Sequence, residues 1–275
     1  MSRWQPEQWV IAMDEREAIA VLNAGREVPQ KLVAKHTGAW ADGLSRVLDM
    51  AGSAGVRDWS IIVSGDLVQH WVCGAPEGVA SLKELRQYAG LRRAQLFGDA
   101  AEDNWAIEGD WSSTQHFVCS AVSSKLLELV SEKARDAGAR WRLTSSIRVL
   151  MASVKATSQP VNGWMLLQTP FREHFLLRGK QGGWEQLGAR WIGATPADVD
   201  AAWGGWPEID ALALASGLEV PETLQIVRCC EQGVRLSTFD RLQASERQLW
   251  HRPAATLVQE SGSSWLSVLA AFANG

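Results

Sequence analysis

The sequence predicts an α/β protein made of two similar halves, and two stretches carry this prediction. Residues 116–145 read as strand, helix and strand, since the apolar run HFVCSAV is followed by an amphipathic segment and then by ARWRL. A helix that joins two strands in this way suggests a parallel crossover. Residues 163–193 alternate apolar and polar positions in three runs around turn residues, which is typical of consecutive antiparallel strands.

The first half is predicted to begin with three strands. WVIAM at 9–13 and AIAVLNA at 18–24 form a hairpin, and residues 27–36 can add a third strand after the turn at Gly25. Residues 41–51 then have the spacing of a helix that the following glycines end.

Two further segments complete the first half. Residues 59–74 predict a second hairpin, which turns at the tripeptide SGD. Ser81 can cap the helix that follows, SLKELRQYAGLRRAQLFG, and the serine pair before KLLELV can cap the helix of the crossover.

A linker is predicted at SQPVNG, residues 158–163, because Pro and Asn-Gly interrupt the periodicity there. The prediction therefore places a first lobe at residues 1–160 and a second lobe at residues 161–275. In the second lobe, Thr195 and the proline after it start a helical segment, and residues 222–230 read as a buried strand. The chain ends in a predicted amphipathic helix with one apolar face: Trp265, Leu266, Leu269 and Phe272.

The composition favours a folded, soluble protein that does not bind nucleic acid. The 275 residues are 46% hydrophobic, with a formal charge of −4 and a pI near 5.8, so there is no general attraction for DNA or RNA. The N-terminus lacks the apolar core of a signal peptide, and no segment approaches the ~20 apolar residues of a spanning helix. These features predict a cytoplasmic protein with no direct membrane span.

Cysteine and tryptophan usage is interpreted as packing. The four cysteines show no CxxC spacing, so buried reduced thiols are favoured: Cys73, Cys119, Cys229 and Cys230. The 15 tryptophans could line a peptide or sugar groove, but their position inside predicted strands favours the core. The packed tryptophans lie at Trp59, Trp71, Trp141, Trp164 and Trp191.

No common catalytic or metal motif occurs in the chain. GxSxG, HExxH, GxxxxGK[ST] and GxGxxG are absent, and no histidine has a second His or Cys at metal-ligand spacing. The sequence therefore predicts no catalytic residue, no metal site and no cofactor, and any cofactor-binding residue is unknown.

Three polar groups have both a plain and a functional interpretation. Asp14, with two glutamates after it, is predicted to form a solvated turn, although paired carboxylates could act in catalysis. GKQGGW, residues 179–184, reads as a turn, although it could hold an anion. Arg86, Arg92 and Arg93 form a predicted basic cluster on one helix, which is solvated or meets an acidic partner.

The order of these elements resembles a known family of folds. Two three-stranded beginnings, each followed by helices and crossovers, are similar to the two lobes of the actin, Hsp70 and sugar-kinase fold. The order of SLKELRQYAGLRRAQLFG, NWAIEGDW and HFVCSAVSSKLLELVSEKARDAGARWRLTSSIRVLM, then GWMLLQTPFREHFLLRGKQGGWEQLGARW, resembles PilM-like type IV pilus assembly proteins and GspL-like type II secretion cytoplasmic domains. The resemblance spans residues 9–203 and implies a two-lobed actin-like (ribonuclease H-like) fold with a mixed, five-stranded sheet in each lobe.

The chain departs from the nucleotide-binding members of that fold at three loops. Those members have an acidic residue and a glycine in each opening hairpin, but here the first reads MDEREA, with Asp14 and no glycine before Gly25. The second reads LLQTPFREH, and the expected double-glycine adenosine loop reads CCEQG. These losses predict a nucleotide site that has decayed.

The resemblance implies a non-catalytic cytoplasmic scaffold of a bacterial type IV pilus or type II secretion inner-membrane platform. Its implied partners are the cytoplasmic tail of a bitopic inner-membrane protein and the assembly ATPase, and such a protein is peripheral to the membrane through its partner. The alternative is an ATPase or small-molecule kinase that uses Asp14 with magnesium. A third possibility is a carbohydrate-binding module, for which sugars would change the tryptophan fluorescence.

Overall fold

The computed structural model describes most of the predicted first lobe and the strands of the second. The described residues are 8–23, 31–34, 39–74, 78–79, 81–98, 104–112, 116–156, 163–169, 172–178, 184–191, 210–211, 213–214, 223–230, 233–240, 247–253, 266 and 269–270.

The elements alternate between strands and helices up to residue 156 and are then mainly strands. In chain order they are β1 (Gln8–Met13), β2 (Ala18–Asn23), β3 (Lys31–Ala34), α1 (Trp40–Ser53), β4 (Asp58–Val63), β5 (Val68–Cys73), α2 (Leu82–Phe97), β6 (Trp105–Gly109), β7 (Phe117–Ser123), α3 (Ser124–Ala137), β8 (Arg140–Ser145), α4 (Ser146–Ala156), β9 (Gly163–Gln168), β10 (Arg172–Arg178), β11 (Trp184–Trp191), β12 (Thr223–Cys230), β13 (Gly233–Asp240) and β14 (Arg247–Pro253).

The first sheet has five strands in the order β3-β2-β1-β4-β8. β2 pairs antiparallel with β1 and β3, whereas β4 runs parallel to both β1 and β8, so the sheet is mixed. The central strand β1 is buried on both faces, which explains why WVIAM is apolar throughout rather than alternating. The predicted hairpin and third strand are therefore confirmed.

Two of the predicted pairings are wrong. β4 and β5 form no hairpin, because both sides of β4 are already paired, and a 3-10 turn at Gly65–Leu67 carries the chain into a separate sheet. β7 and β8 likewise form no crossover within one sheet, since β7 pairs with β5 and β6. The parallel partner of β8 is β4, so β5, α2, β6 and β7 form an insert between two neighbouring strands.

The insert is a three-stranded antiparallel sheet, β5-β7-β6, covered on one face by α2. Its core contains Trp71, which is 1% exposed, and Phe117 from the sheet, and Leu85 and Ala89 from the helix. Ser81 caps α2 as predicted, since its Oγ accepts a hydrogen bond from the Glu84 amide at 3.2 Å. The insert therefore has its own small apolar core.

The second sheet has six strands, in the order β11-β10-β9-β12-β13-β14. The predicted antiparallel run β9, β10, β11 is confirmed, and β12 runs parallel to β9, so this sheet is also mixed. The sixth strand corrects the expected five, because β14 pairs beyond β13. Residues 158–162 of the predicted linker and the helix starting at Thr195 lie outside the described residues, and the last linker residue, Gly163, begins β9.

Each face of the first sheet belongs to a separate apolar core. One face packs against α1 and α3, with Leu44 and Leu126 fully buried. The other face packs against α4 and against residues of the second sheet, including Met165 and Val227. Helical residues of the predicted C-terminal helix complete this second core: Leu266, Leu269 and Ala270. The two sheets are thus joined by one continuous apolar core.

The predicted packing of cysteines and tryptophans holds where side chains are described. Cys73, Cys119 and Cys229 are buried thiols that form no disulfide, and Trp59 and Trp71 are 2% and 1% exposed. Among the described residues, no helix combines the length and apolar character needed to cross a bilayer.

Candidate functional site at the edge of the first sheet

The carboxyl ends of the parallel strands β1, β4 and β8 meet at one edge of the first sheet. In open α/β sheets this edge is the usual place for a ligand. Here it ends in buried polar residues, which we call the first-sheet edge: Asp14, Ser64, Ser145 and Ser146, each 2–3% exposed. The backbone holds these strand ends together, since the Ser64 amide donates to the Met13 carbonyl at 2.9 Å.

The Asp14 carboxylate closes its own turn. Its Oδ1 accepts hydrogen bonds from the amides of Arg16 and Glu17, both at 2.8 Å, and its amide donates to the Glu17 carbonyl at 3.0 Å. Burial raises the pKa of the Asp14 carboxyl even though these two bonds lower it. The predicted solvated turn is therefore wrong for this residue, which is 3% exposed.

The Glu15 carboxylate reaches from the same turn to the chain that follows β4. Its Oε2 accepts a hydrogen bond from the Asp66 amide at 3.2 Å. The carboxylate lies so close to Gly65 that a Cβ there would collide with it, and the positive φ of 67° at Gly65 also favours glycine. Glu15 therefore bridges two loops that are 51 residues apart.

Backbone amides at such an edge are the groups that hold phosphate in nucleotide-binding proteins. Three of them, from Arg16, Glu17 and Asp66, already donate to carboxylates of the chain itself. An incoming phosphate would meet two negative charges and would have to displace them from these amides. The first-sheet edge thus carries its own anions.

The serine hydroxyls at this edge are also satisfied internally. The Oγ atoms of Ser64 and Ser146 lie 2.9 Å apart, and Ser145 Oγ accepts from the Arg148 amide at 3.3 Å in the first turn of α4. A nucleophilic serine needs a base within hydrogen-bond reach, and Ser64 and Ser146 bond to each other instead. Their arrangement is that of structural hydrogen bonds between strand ends.

The corresponding position in the second sheet is the end of β9. Thr169 follows this strand and is 6% exposed, and the proline after it lies outside the described residues. The anion turn considered at residues 179–183 also lies outside them. In the part of the chain that the structure describes, no group of three or more His, Cys, Asp or Glu side chains is placed to hold a metal ion.

The three arginines predicted to form a cluster on α2 point to different surroundings. Arg93 is buried, with its guanidinium 4.3 Å from the Trp105 ring centroid and its Nε donating to Gln69 Oε1 at 2.8 Å. Arg86 lies over Trp111 at 5.7 Å and 3.5 Å from a Glu108 carboxylate oxygen. Arg92 instead lies beside the end of β5, close to Val72 and His116, so the predicted cluster is corrected to one structural arginine and two separate surface ones.

The fold is identified by comparison with solved structures, because comparisons of the sequence with known proteins find no match. No protein-family model matches the chain, and no curated protein is significantly similar to it. A Bacteroides thetaiotaomicron protein of unknown function with an actin-like ATPase fold matches with a TM-score of 0.53 at 9% identity, covering 80% of this chain and 81% of its own. The chain therefore has an α/β actin-like ATPase fold, as the sequence predicted.

Two further solved structures match at 13% identity and a TM-score of 0.47. One is the cytoplasmic domain of EpsL, an inner-membrane component of the type II secretion system of Vibrio cholerae, with 81% of this chain and 82% of that chain covered. The other is the PilM–PilN type IV pilus biogenesis complex, with 78% and 67% covered. The structural matches therefore include a type II secretion cytoplasmic domain and PilM, the two kinds of protein named from the order of elements.

Proposed function

We propose that this chain is a non-catalytic scaffold that binds other proteins and has lost the nucleotide site of its fold. The observation that carries the proposal is the closure of the first-sheet edge by Asp14 and Glu15, which take the amides of Arg16, Glu17 and Asp66. Catalysis on a nucleotide needs free donors aimed at the phosphates, and here the donors are engaged. An actin-like fold without that site offers its surface for binding.

The system in which the scaffold works is a second step of the proposal. The order of elements along residues 9–203 resembles PilM-like and GspL-like proteins, which favours a type IV pilus or type II secretion inner-membrane platform. The partners are then the cytoplasmic tail of a bitopic membrane protein, the assembly ATPase, or both. The chain would be cytoplasmic and held at the inner membrane through such a partner.

Affinity capture tests the scaffold directly. We expect the full-length tagged chain to recover a bitopic inner-membrane protein or an assembly ATPase from detergent extracts of its native cells, identified by mass spectrometry. A binary pull-down with the purified partner must then reproduce the interaction. Recovery of neither class in repeated captures would contradict the proposal.

Nucleotide binding tests the closed edge. We expect 5 mM ATP with magnesium to leave the melting temperature unchanged within about 1 °C, because a ligand present at 100 times its Kd would stabilise the native state by about 2.7 kcal/mol. Tripolyphosphate with magnesium is the matched control for unspecific anion effects. The ATPase or kinase alternative would instead be established by two results together. ATP with magnesium would raise the melting temperature by several degrees when tripolyphosphate with magnesium does not, and the protein would turn over ATP.

A further inference from the structure

A groove on the insert, away from the first-sheet edge, has the features of a binding site. It lies between α2 and the end of β5, with a volume of about 360 Å³. We call it the α2 groove, lined by Val72, Tyr88, Leu91, Arg92, Gln95 and His116. This volume is within the range of about 300–1,000 Å³ typical of ligand pockets.

The helix that forms one wall of the groove is held firmly. The Ser81 amide donates to Glu84 Oε2 at 3.0 Å, which completes a capping box at the start of α2. Arg93 is anchored on Trp105 and Gln69 on the buried side of the helix. A groove on a fixed helix can bind without an ordering cost for its own wall.

The charge of the groove is opposite to that of the whole chain. The chain has a formal charge of −4, whereas α2 carries four basic residues and one acidic residue. The acidic residue, Glu84, is engaged at the N-cap, and no carboxylate is among the described residues that line the groove. Arg92 Nη1 donates to the Gln95 side-chain oxygen at 3.2 Å. Its guanidinium is placed to receive a carboxylate from a partner.

The groove also offers an apolar contact beside this charge. Leu91 is 68% exposed on the middle of α2, next to Tyr88 one turn earlier. On the opposite side the His116 ring lies over Gly74, 3.4 Å from where a Cβ would stand there, and forms the far wall. A partner could therefore place an acidic side chain against Arg92 and a neighbouring apolar side chain against Leu91.

We infer that the α2 groove binds an acidic peptide segment of a protein partner, one with a carboxylate next to an aliphatic or aromatic side chain. An anionic membrane is the other surface that attracts cations, but its attraction is about 1 kcal/mol per Lys or Arg near the surface and needs several of them together. The α2 groove is concave and has one outward-facing arginine, which suits a single carboxylate. This inference rests on the proposed scaffold function and assigns one of its binding sites.

Selection from random peptides on the full-length chain tests the inference. We expect dodecapeptides displayed on phage to be enriched in Asp or Glu beside Leu, Ile or Phe. A fluorescein-labelled peptide of the enriched sequence should then bind at least about 10-fold more weakly to Arg92→Glu and to Leu91→Asp, because a charge pair and a buried apolar contact are lost. Both positions are on the surface, so thermal melts should confirm intact folding of the variants.

The matched control is Arg46→Glu, which makes the same charge change on the exposed side of α1. Its affinity for the labelled peptide should stay within about 2-fold of the wild type. At 0.1 M salt, exposed charges that are more than about 10 Å apart are largely screened from each other. No enrichment, enrichment without acidic residues, or equal binding to Arg92→Glu would overturn the inference. The groove would be assigned to a membrane instead if the peptide selection gave no enrichment and the wild type sedimented with phosphatidylglycerol vesicles while Arg92→Glu did not.

The same variants separate this inference from the scaffold proposal. If Arg92→Glu still captures the native partner as well as the wild type does, the partner binds elsewhere and only the groove assignment fails. If the wild type captures no partner, the scaffold proposal itself fails.

Discussion

Replacing Trp71 by alanine should lower the free energy of unfolding by about 3–5 kcal/mol, the range for deleting a large buried aromatic side chain. Trp71 is 1% exposed in the core of the insert and packs edge-on against Phe97 of α2, with ring centroids 6.1 Å apart. Its loss would leave a cavity between the three-stranded sheet and α2. Urea unfolding followed by far-UV circular dichroism measures the change.

The effect of Trp71→Ala should be strongest in the insert. We expect faster hydrogen exchange of the α2 amides than in wild type, because the helix loses a large buried aromatic contact with the sheet, while amides of β1 and β4 keep their protection. Leu91→Ala on the exposed side of α2 is the control and should change stability by less than about 0.5 kcal/mol. A loss below about 1 kcal/mol for Trp71→Ala would mean that α2 does not depend on this core.

Asp14 gives the second large effect, with opposite expectations for two substitutions. Asp14→Ala should lower the free energy of unfolding by about 1–3 kcal/mol, because the amides of Arg16 and Glu17 lose their acceptor. Asp14→Asn keeps an oxygen for both amides and removes a buried charge. At neutral pH it should therefore be at least as stable as the wild type. Chemical unfolding of both variants measures these differences.

The pH dependence of the Asn variant follows from the raised pKa of Asp14. Above the folded pKa the carboxyl is ionised in both the folded and unfolded states, and the cost of burying the charge is fully present. As the pH falls through the folded pKa towards the lower unfolded pKa, the folded state takes up the proton first and this cost disappears. The stability advantage of Asp14→Asn over wild type should accordingly shrink on acidification. A growing advantage would show that the hydrogen bonds, not burial, dominate.

The sequence was a good guide to elements and a poor guide to pairing. β1, β2, α1, α2, α3 and the run β9 to β11 lie close to their predicted positions, because periodicity and capping residues such as Ser81 and Ser123 act over a few neighbouring residues. β4 and β5 were paired wrongly because a short turn between two apolar strands usually makes a hairpin. The residues around β4 do not show that its free edge pairs with β8, some 80 residues later in the chain.

Only part of the candidate site could be predicted from the sequence. The missing glycine in MDEREA already indicated a lost phosphate turn, and the structure adds that Glu15 reaches the Asp66 amide. Sequence reasoning also missed Ser64 and Ser146, whose 2.9 Å contact joins positions 82 residues apart. The sequence signal that could have suggested them is a serine directly after each apolar strand, in IIVSG and in RLTSS.

The amino-acid sequence alone determined where the strands and helices lie, which fold family they resemble, and that the phosphate loops lack glycine. Only the tertiary structure decided that Asp14 is buried with a raised pKa, that Arg93 is structural while Arg92 faces a groove, and that the insert has its own core. The physical reason is range: backbone propensity depends on adjacent residues, whereas burial and charge environment are set by chain segments brought together from far apart.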